Sequence, residues 1–230
     1  MINKDREMKV FLLYPYFFSP DGHSKKIGGV ETYIESLAKV ITDMGLKPVI
    51  CQFSEEAFER KYLEYTIYGY KVKSIKQLYK KIKPNINKDV DLILFVNDLW
   101  STKIKGVKTL SIQHGIYWDI PRNHGPYFLY YCQRIKQIIG ALIDFNKTDY
   151  SVCVDYNFYN WYKTFNVKEK CKKYWVIPNF ANQYLSRLAL EQKLSLHSPK
   201  INIIFARRFY EFRGTTIFTK AMIKINTTLV

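Results

Sequence analysis

Short apolar runs alternating with stretches of helical periodicity constrain this chain more than any other feature. Lys9 to Tyr14 is a brief run of strand formers, followed by a polar loop containing Gly22, Gly28 and Gly29. Val30, Ile34, Leu37, Ala38, Ile41 and Met44 then recur at helical spacing, and Gly45 stands where a helix would end. Pro48 to Phe53 reads as a second strand, which completes a βαβ unit. Further strands are predicted at Asp91–Val96, Val107–Ile112, Tyr150–Val154 and Tyr174–Ile177, the last stopped by Pro178. Between them, Phe128, Cys132, Ile135, Ile139 and Leu142 mark a long helix, and Phe158, Trp161, Tyr162 and Phe165 a shorter one. Such alternation predicts an α/β fold: a Rossmann-like, mostly parallel sheet flanked by helices on both faces.

After Gln183 the chain turns polar up to Lys200, with Ser195, Ser198 and Pro199, and reads as a linker. A new unit then opens with a strand at Ile201–Phe205, a loop at Arg207–Gly214 and a helix at Thr215–Ile225. One strand and one helix cannot enclose a core. The expected organisation is a first domain over 1–190, with 191–230 a linker and the start of a second Rossmann-like domain, begun and not finished.

Composition narrows the class. Hydrophobic residues make up 47% of the 230, which excludes a disordered chain. No run approaches the roughly 20 apolar residues that cross a bilayer. The charged start, Lys4 to Lys9, precedes an apolar run too short for a signal peptide. The four cysteines, Cys51, Cys132, Cys153 and Cys171, lack C-x-x-C spacing and read as reduced thiols. The expected location is cytoplasmic, with the inner face of the plasma membrane as a possible peripheral station. The formal charge of +16 favours a polyanionic partner. Lys71 to Lys88 holds seven lysines and no acid, with Ile75, Leu78, Tyr79 and Ile82 at helical spacing. That segment suits either a solvated lysine face or contact with an anionic membrane. Nucleic acid is not an expected partner: the aromatics fall on core positions, and no helix-turn-helix, zinc or RRM signature is present.

Several motifs carry possible chemistry. Gly28-Gly29 leads straight into a helix, where backbone N–H groups can approach a phosphate. No G-x-G-x-x-G, P-loop or G-x-S-x-G accompanies it. Asp89 and Asp91 form a D-x-D that precedes a strand and reads as strand entry, not as a metal site. His23, His114, His124 and His197 share no ligand spacing with the cysteines, and no metal is predicted. His114 differs from the others, because it follows a buried run and precedes Gly115. That is the C-terminal end of a strand, where open α/β sheets hold their ligands. Arg207, Arg208 and Arg213 flank the start of the last helix, with Gly214 opening it, a setting suited to a diphosphate.

Together these segments resemble the family-4 glycosyltransferases of the GT-B fold. Gly28-Gly29-Val30-Glu31 is similar to the family's G-G-hydrophobic-E loop, and Ser111-Ile112-Gln113-His114-Gly115 to its histidine at a strand end. Val176-Ile177-Pro178-Asn179-Phe180 resembles its Pro-Asn-Gly segment, with Phe180 in place of the glycine. Ile204-Phe205-Ala206-Arg207-Arg208 with Arg213-Gly214 resembles the entry to its donor site. There Arg207 stands for glycine and Arg213 for lysine. The family's downstream E-x7-E segment has no counterpart before the chain ends.

The resemblance implies a GT-B N-terminal, acceptor-side domain and transfer of a sugar from a nucleotide-sugar donor to an acceptor hydroxyl, usually with retention. It implies that Arg208, Arg213 and Gly214 hold the donor diphosphate, that Gly28 and Gly29 offer backbone N–H groups, and that His114 contacts the transferred sugar or steadies charge at the reacting centre. It implies no metal or other cofactor, and a saccharide or lipid-linked acceptor, as in capsule or lipopolysaccharide assembly. With one wall of the cleft largely absent, the 230-residue chain is expected to turn over little or nothing. Two other classes remain open: a non-catalytic α/β binding module and, behind it, a basic nucleic-acid-binding protein.

Overall fold

Strand β1 (Lys9–Leu13) lies near the middle of an eight-stranded sheet and is apolar on both faces. Val10 and Leu12 enter one core cluster, and Phe11 and Leu13 enter the other. A strand buried on both sides reads as a continuous apolar run and needs cover above and below. The computed structural model that establishes this describes residues 7–118, 126–165, 173–179, 191 and 214–228.

One cover is helix α1 (Gly29–Asp43), whose Ile34, Ala38 and Ile41 are buried against the first cluster. It ends at Gly45, which takes φ +72°, and Gly45 N–H donates to Thr42 O while Leu46 N–H donates to Ile41 O. This is a left-handed helix stop that glycine adopts without strain. The other cover is α2 (Ile75–Ile82), which buries Ile75, Leu78 and Ile82. Its apolar side thus faces the sheet, and its exposed residues are mainly lysines.

The remaining strands are β2 (Lys47–Phe53), β3 (Phe58–Tyr62), β4 (Tyr65–Tyr70), β5 (Leu92–Phe95), β6 (Lys108–Gln113), β7 (Tyr150–Cys153) and β8 (Lys173–Val176). Their spatial order is β3-β4-β2-β1-β5-β6-β7-β8. Every neighbouring pair is parallel except β3 with β4. The chain therefore builds outward from β1 on one side, then crosses to β5 on the other. In open α/β sheets the carboxyl ends of strands at such a reversal form the ligand crevice. Helices α3 (Tyr127–Phe145) and α4 (Tyr156–Thr164) follow β6 and β7. Phe145, Phe158 and Tyr162 pack there with Trp118 in a third, aromatic cluster.

The expected α/β architecture with a mostly parallel, helix-flanked sheet is present. The β3–β4 hairpin is an addition that the periodicity did not foretell. Its first strand, Phe-Glu-Arg-Lys-Tyr, is largely charged, and its turn holds Leu63 at φ +53° with no glycine to announce it.

Two compact units emerge. The first comprises Met1–Trp118 with Tyr131–Pro178, and the second Asp119–Tyr130 with Asn179–Val230. The break after Pro178 lies ahead of the expected boundary at 190. In the second unit, helix α5 (Thr215–Thr228) follows Gly214, which takes φ +84° and accepts Phe218 N–H at 2.9 Å. The predicted linker and the Ile201–Phe205 strand lie outside the described residues. Among the described residues, no helix is long and apolar enough to cross a membrane.

Candidate functional site

Four segments meet at the carboxyl edge of the sheet: the ends of β1 and β5, the turn after β6, and the start of α1. His114 follows β6 directly, and its Nε2 lies 2.8 Å from Val96 O, one residue beyond β5. A carbonyl only accepts, so Nε2 carries the proton and Nδ1 keeps a free lone pair in the neutral ring. Burial pushes the His114 pKa below its ordinary value, against the opposing pull of the Val96 carbonyl. The ring meets Tyr33 of α1 edge-on, with centroids 5.3 Å apart.

The turn that presents His114 is built by its neighbours. Gln113 is buried, and its side chain clasps the backbone of Gly115: Gly115 N–H donates to Oε1 at 2.9 Å, and Nε2 donates to Gly115 O at 2.6 Å. Gly115 takes φ +91°, and an added Cβ would come within 2.9 Å of Asp155 Oδ2. Glycine is therefore required on both conformational and steric grounds. Asp155 is itself committed, capping α4 through Phe158 N–H at 3.1 Å.

Gly28 and Gly29 stand as expected at the N-terminus of α1, but they are not equivalent. A Cβ on Gly28 would clash with Glu31 Oε2, so the Glu31 carboxylate folds back over the helix start. Burial and the nearby Glu31 carboxylate push the Tyr14 pKa up to about 12. Gly29 has open space around its Cβ position. The helix end thus already has a negative group beside it, and an incoming anion would approach past Gly29.

A second buried glutamine fixes the loop before these glycines. Gln52, near the end of β2, accepts Phe18 N–H at 2.6 Å and donates to Phe18 O at 3.2 Å and Phe53 O at 3.0 Å. Neither Gln52 nor Gln113 was singled out for a role by sequence reasoning. The available signal was a polar residue at the end of an otherwise apolar strand.

Asp98 was also missed. It lies in a short 3-10 turn after β5 and is 1% exposed, with Oδ1 accepting Leu99 N–H at 3.0 Å and Oδ2 without a partner. Burial, helped by the nearby Asp144 carboxylate, raises its pKa to about 7. By contrast, Asp91 serves strand entry: Oδ1 accepts Lys9 N–H at 3.0 Å and Oδ2 accepts Asn87 N–H at 2.7 Å. Asp89 is exposed.

Of the expected donor-site residues, Arg207, Arg208 and Arg213 lie outside the described residues, as do His124, His197 and Cys171. Gly214 is described within the second unit. Cys51 and Cys132 are free thiols. Among the described residues, no group of three or more histidine, cysteine, aspartate or glutamate side chains could hold a metal ion. No protein-family model matches the chain, and no curated protein matches it.

Proposed function

We propose that this chain is the acceptor-side part of a GT-B glycosyltransferase that moves a sugar from a nucleotide-sugar donor to an acceptor hydroxyl. The observation that carries the reading is His114. It is a neutral imidazole at the carboxyl edge of a parallel sheet, with its Nε2 proton committed to Val96 O. A ring held in this tautomer offers Nδ1 as an acceptor for a sugar hydroxyl. It adds no positive charge that would bind a ground-state anion indiscriminately.

In this reading, Gly29 and the start of α1 face the donor's phosphates; separately, the run holding Arg208, Arg213 and Gly214 is the part of the sequence suited to the diphosphate as it leaves. Charge develops on that leaving group, and guanidinium groups are suited to stabilise it without a metal. The acceptor is a saccharide or lipid-linked saccharide, as in the assembly of cell-surface polysaccharide. The lysine face of α2 supplies a positive surface for peripheral contact with anionic lipid.

Isothermal titration with UDP, GDP and their sugar conjugates tests the proposal. Binding of a sugar conjugate is expected, weakened at least tenfold in Arg208→Ala. His114→Ala should weaken the sugar conjugate while leaving the bare nucleotide unaffected. Absence of nucleotide binding, or equal loss of both ligands in His114→Ala, would overturn it.

A further inference from the structure

Helix α2 spans only eight residues and leaves part of its sheet face open. Beside it lies a cleft of about 500 Å³, within the range of small-molecule sites. Lys9 and Lys47 from the starts of β1 and β2, Glu59 of β3, Thr66 and Tyr68 of β4, and Asn85 from the turn after α2 line it. Each of these six side chains is exposed or half-buried, whereas the buried Phe11 and Val49 form only the floor. We propose that this cleft binds a nucleoside monophosphate, with its base against Tyr68 and its phosphate on Lys9 and Lys47.

The phosphate end follows from the strand register. Phe11, Val49 and Tyr68 belong to the core cluster on the α2 side of the sheet. Lys9 and Lys47 precede Phe11 and Val49 by two residues, so both side chains leave the sheet on that same side. Lys9 is paired with Lys47 across β1 and β2, which sets two ammonium groups next to each other. Among the described residues neither makes an ion pair. Like charges held side by side on one face are unfavourable, and a doubly charged phosphate between them converts repulsion into charge-assisted hydrogen bonds.

The base end follows from a step in side-chain size. The rings of Tyr68 and Tyr70 lie 6.4 Å apart and 32° from parallel. Thr66, the next residue of β4 on this face, is small and pairs with Val49. The drop from ring to hydroxyl leaves a gap beside Tyr68 that a flat base fills by stacking, an interaction tolerant of base identity. The lysine pair lies one pleat repeat beyond the Thr66 row, roughly 7 Å away. A benzoate, with its carboxylate directly on the ring, is too short for that separation; a base and a phosphate joined by a ribose suit it. Glu59 accepts the Tyr68 hydroxyl at 3.4 Å, and its carboxylate on the cleft wall suits an exocyclic amino group.

Titration of the full chain at low ionic strength decides the matter, with AMP, adenosine, ribose 5-phosphate, inorganic phosphate and hexa-adenylate as probes. AMP should bind, and adenosine, ribose 5-phosphate and phosphate at least tenfold more weakly. Lys47→Ala, altered at an exposed position, should lose at least tenfold in AMP affinity. Thr66→Phe, which fills the gap and removes no binding group, should abolish AMP binding without lowering the melting temperature. Ribose 5-phosphate binding as tightly as AMP would overturn the stacked base, and adenosine doing so would overturn the lysine pair. Hexa-adenylate binding at least tenfold more tightly than AMP would overturn the single-nucleotide assignment in favour of a nucleic-acid strand. No AMP binding, or undiminished affinity in Lys47→Ala or Thr66→Phe, would overturn the site itself. The inference does not rest on the transferase reading: AMP affinity should be unchanged in His114→Ala and Arg208→Ala, and a loss there would assign AMP to the transferase site and overturn this one.

Discussion

The two edges of the sheet differ in how they hold their buried aspartates. At the amino edge, Asp91 ties the starts of β1 and β5 together with both oxygens on backbone N–H groups. Asp149, before β7, holds the start of β6 through one oxygen: Oδ2 accepts Thr109 N–H at 3.1 Å and the Thr109 hydroxyl at 3.0 Å. At the carboxyl edge, Asp98 Oδ2 and Ser54 Oγ have no partner. His114 sits there too, neutral and half committed. Among the described residues Tyr65 Oη is also unsatisfied; it belongs to the start of β4 and departs from this division. Backbone amides that saturate a carboxylate build a fold. Groups left open in the interior lower stability, and Asp98 and Ser54 carry that cost at the edge where parallel sheets hold ligands.

The sharpest test of the contrast is Asp98→Asn. Burial raises the folded-state pKa of Asp98 to about 7, well above the unfolded value near 3.8. Between these values the folded chain holds a proton that the unfolded chain has released. The resulting stabilisation is whole below the unfolded pKa and gone once pH passes the folded one, so stability falls as pH rises across the window. Urea denaturation should show Asp98→Asn more stable than the parent by up to roughly 4 kcal/mol at pH 8, three pKa units at 1.36 kcal/mol each. The two proteins should be nearly equal at pH 4. A pH-independent difference would remove Asp98 from the open class.

Asp91→Ala should act in the other direction, because two buried amides lose a charged acceptor. A loss of about 3 kcal/mol is expected at neutral pH. A loss under 1 kcal/mol would erase the distinction between the edges. Gln113→Ala should cost about 2 kcal/mol through the released Gly115 amide and carbonyl. It should also move the His114 ring resonances, which a distant packing defect would leave in place. The smallest effect is that of His114 itself on pH dependence. Its folded pKa lies below the ordinary 6.5, so the folded chain holds fewer protons there and stability declines as pH falls below that value. His114→Ala should flatten this slope in denaturation measured from pH 7 to pH 5.

Legibility in the sequence followed the physics of each element. β1, β5 and α1 were readable because burial on both faces makes a run apolar and burial on one face makes a 3.6-residue rhythm. His114 and Gly28-Gly29 were readable because strand ends and helix starts are marked by where those patterns stop. The β3–β4 hairpin was not, since Glu59, Arg60 and Lys61 mask strand periodicity and Leu63 occupies a position usually given to glycine. Asp98, Ser54 and the two clasping glutamines were opaque for a different reason. Their importance lies in which partners they have or lack across the sheet, and one-dimensional spacing holds no record of partners 34 residues away, as for Gln52 and Phe18.

The hairpin also settles how the sheet terminates on that side. An outermost strand offers unpaired amides and carbonyls to any passing β-segment. Here that outermost strand is β3, a five-residue stretch carrying Glu59, Arg60 and Lys61. A second molecule adding its own strand there would have to bring its side chains against this row of charge. The border of the sheet is thus hemmed, and self-templated growth in that direction is discouraged by the strand's own side chains.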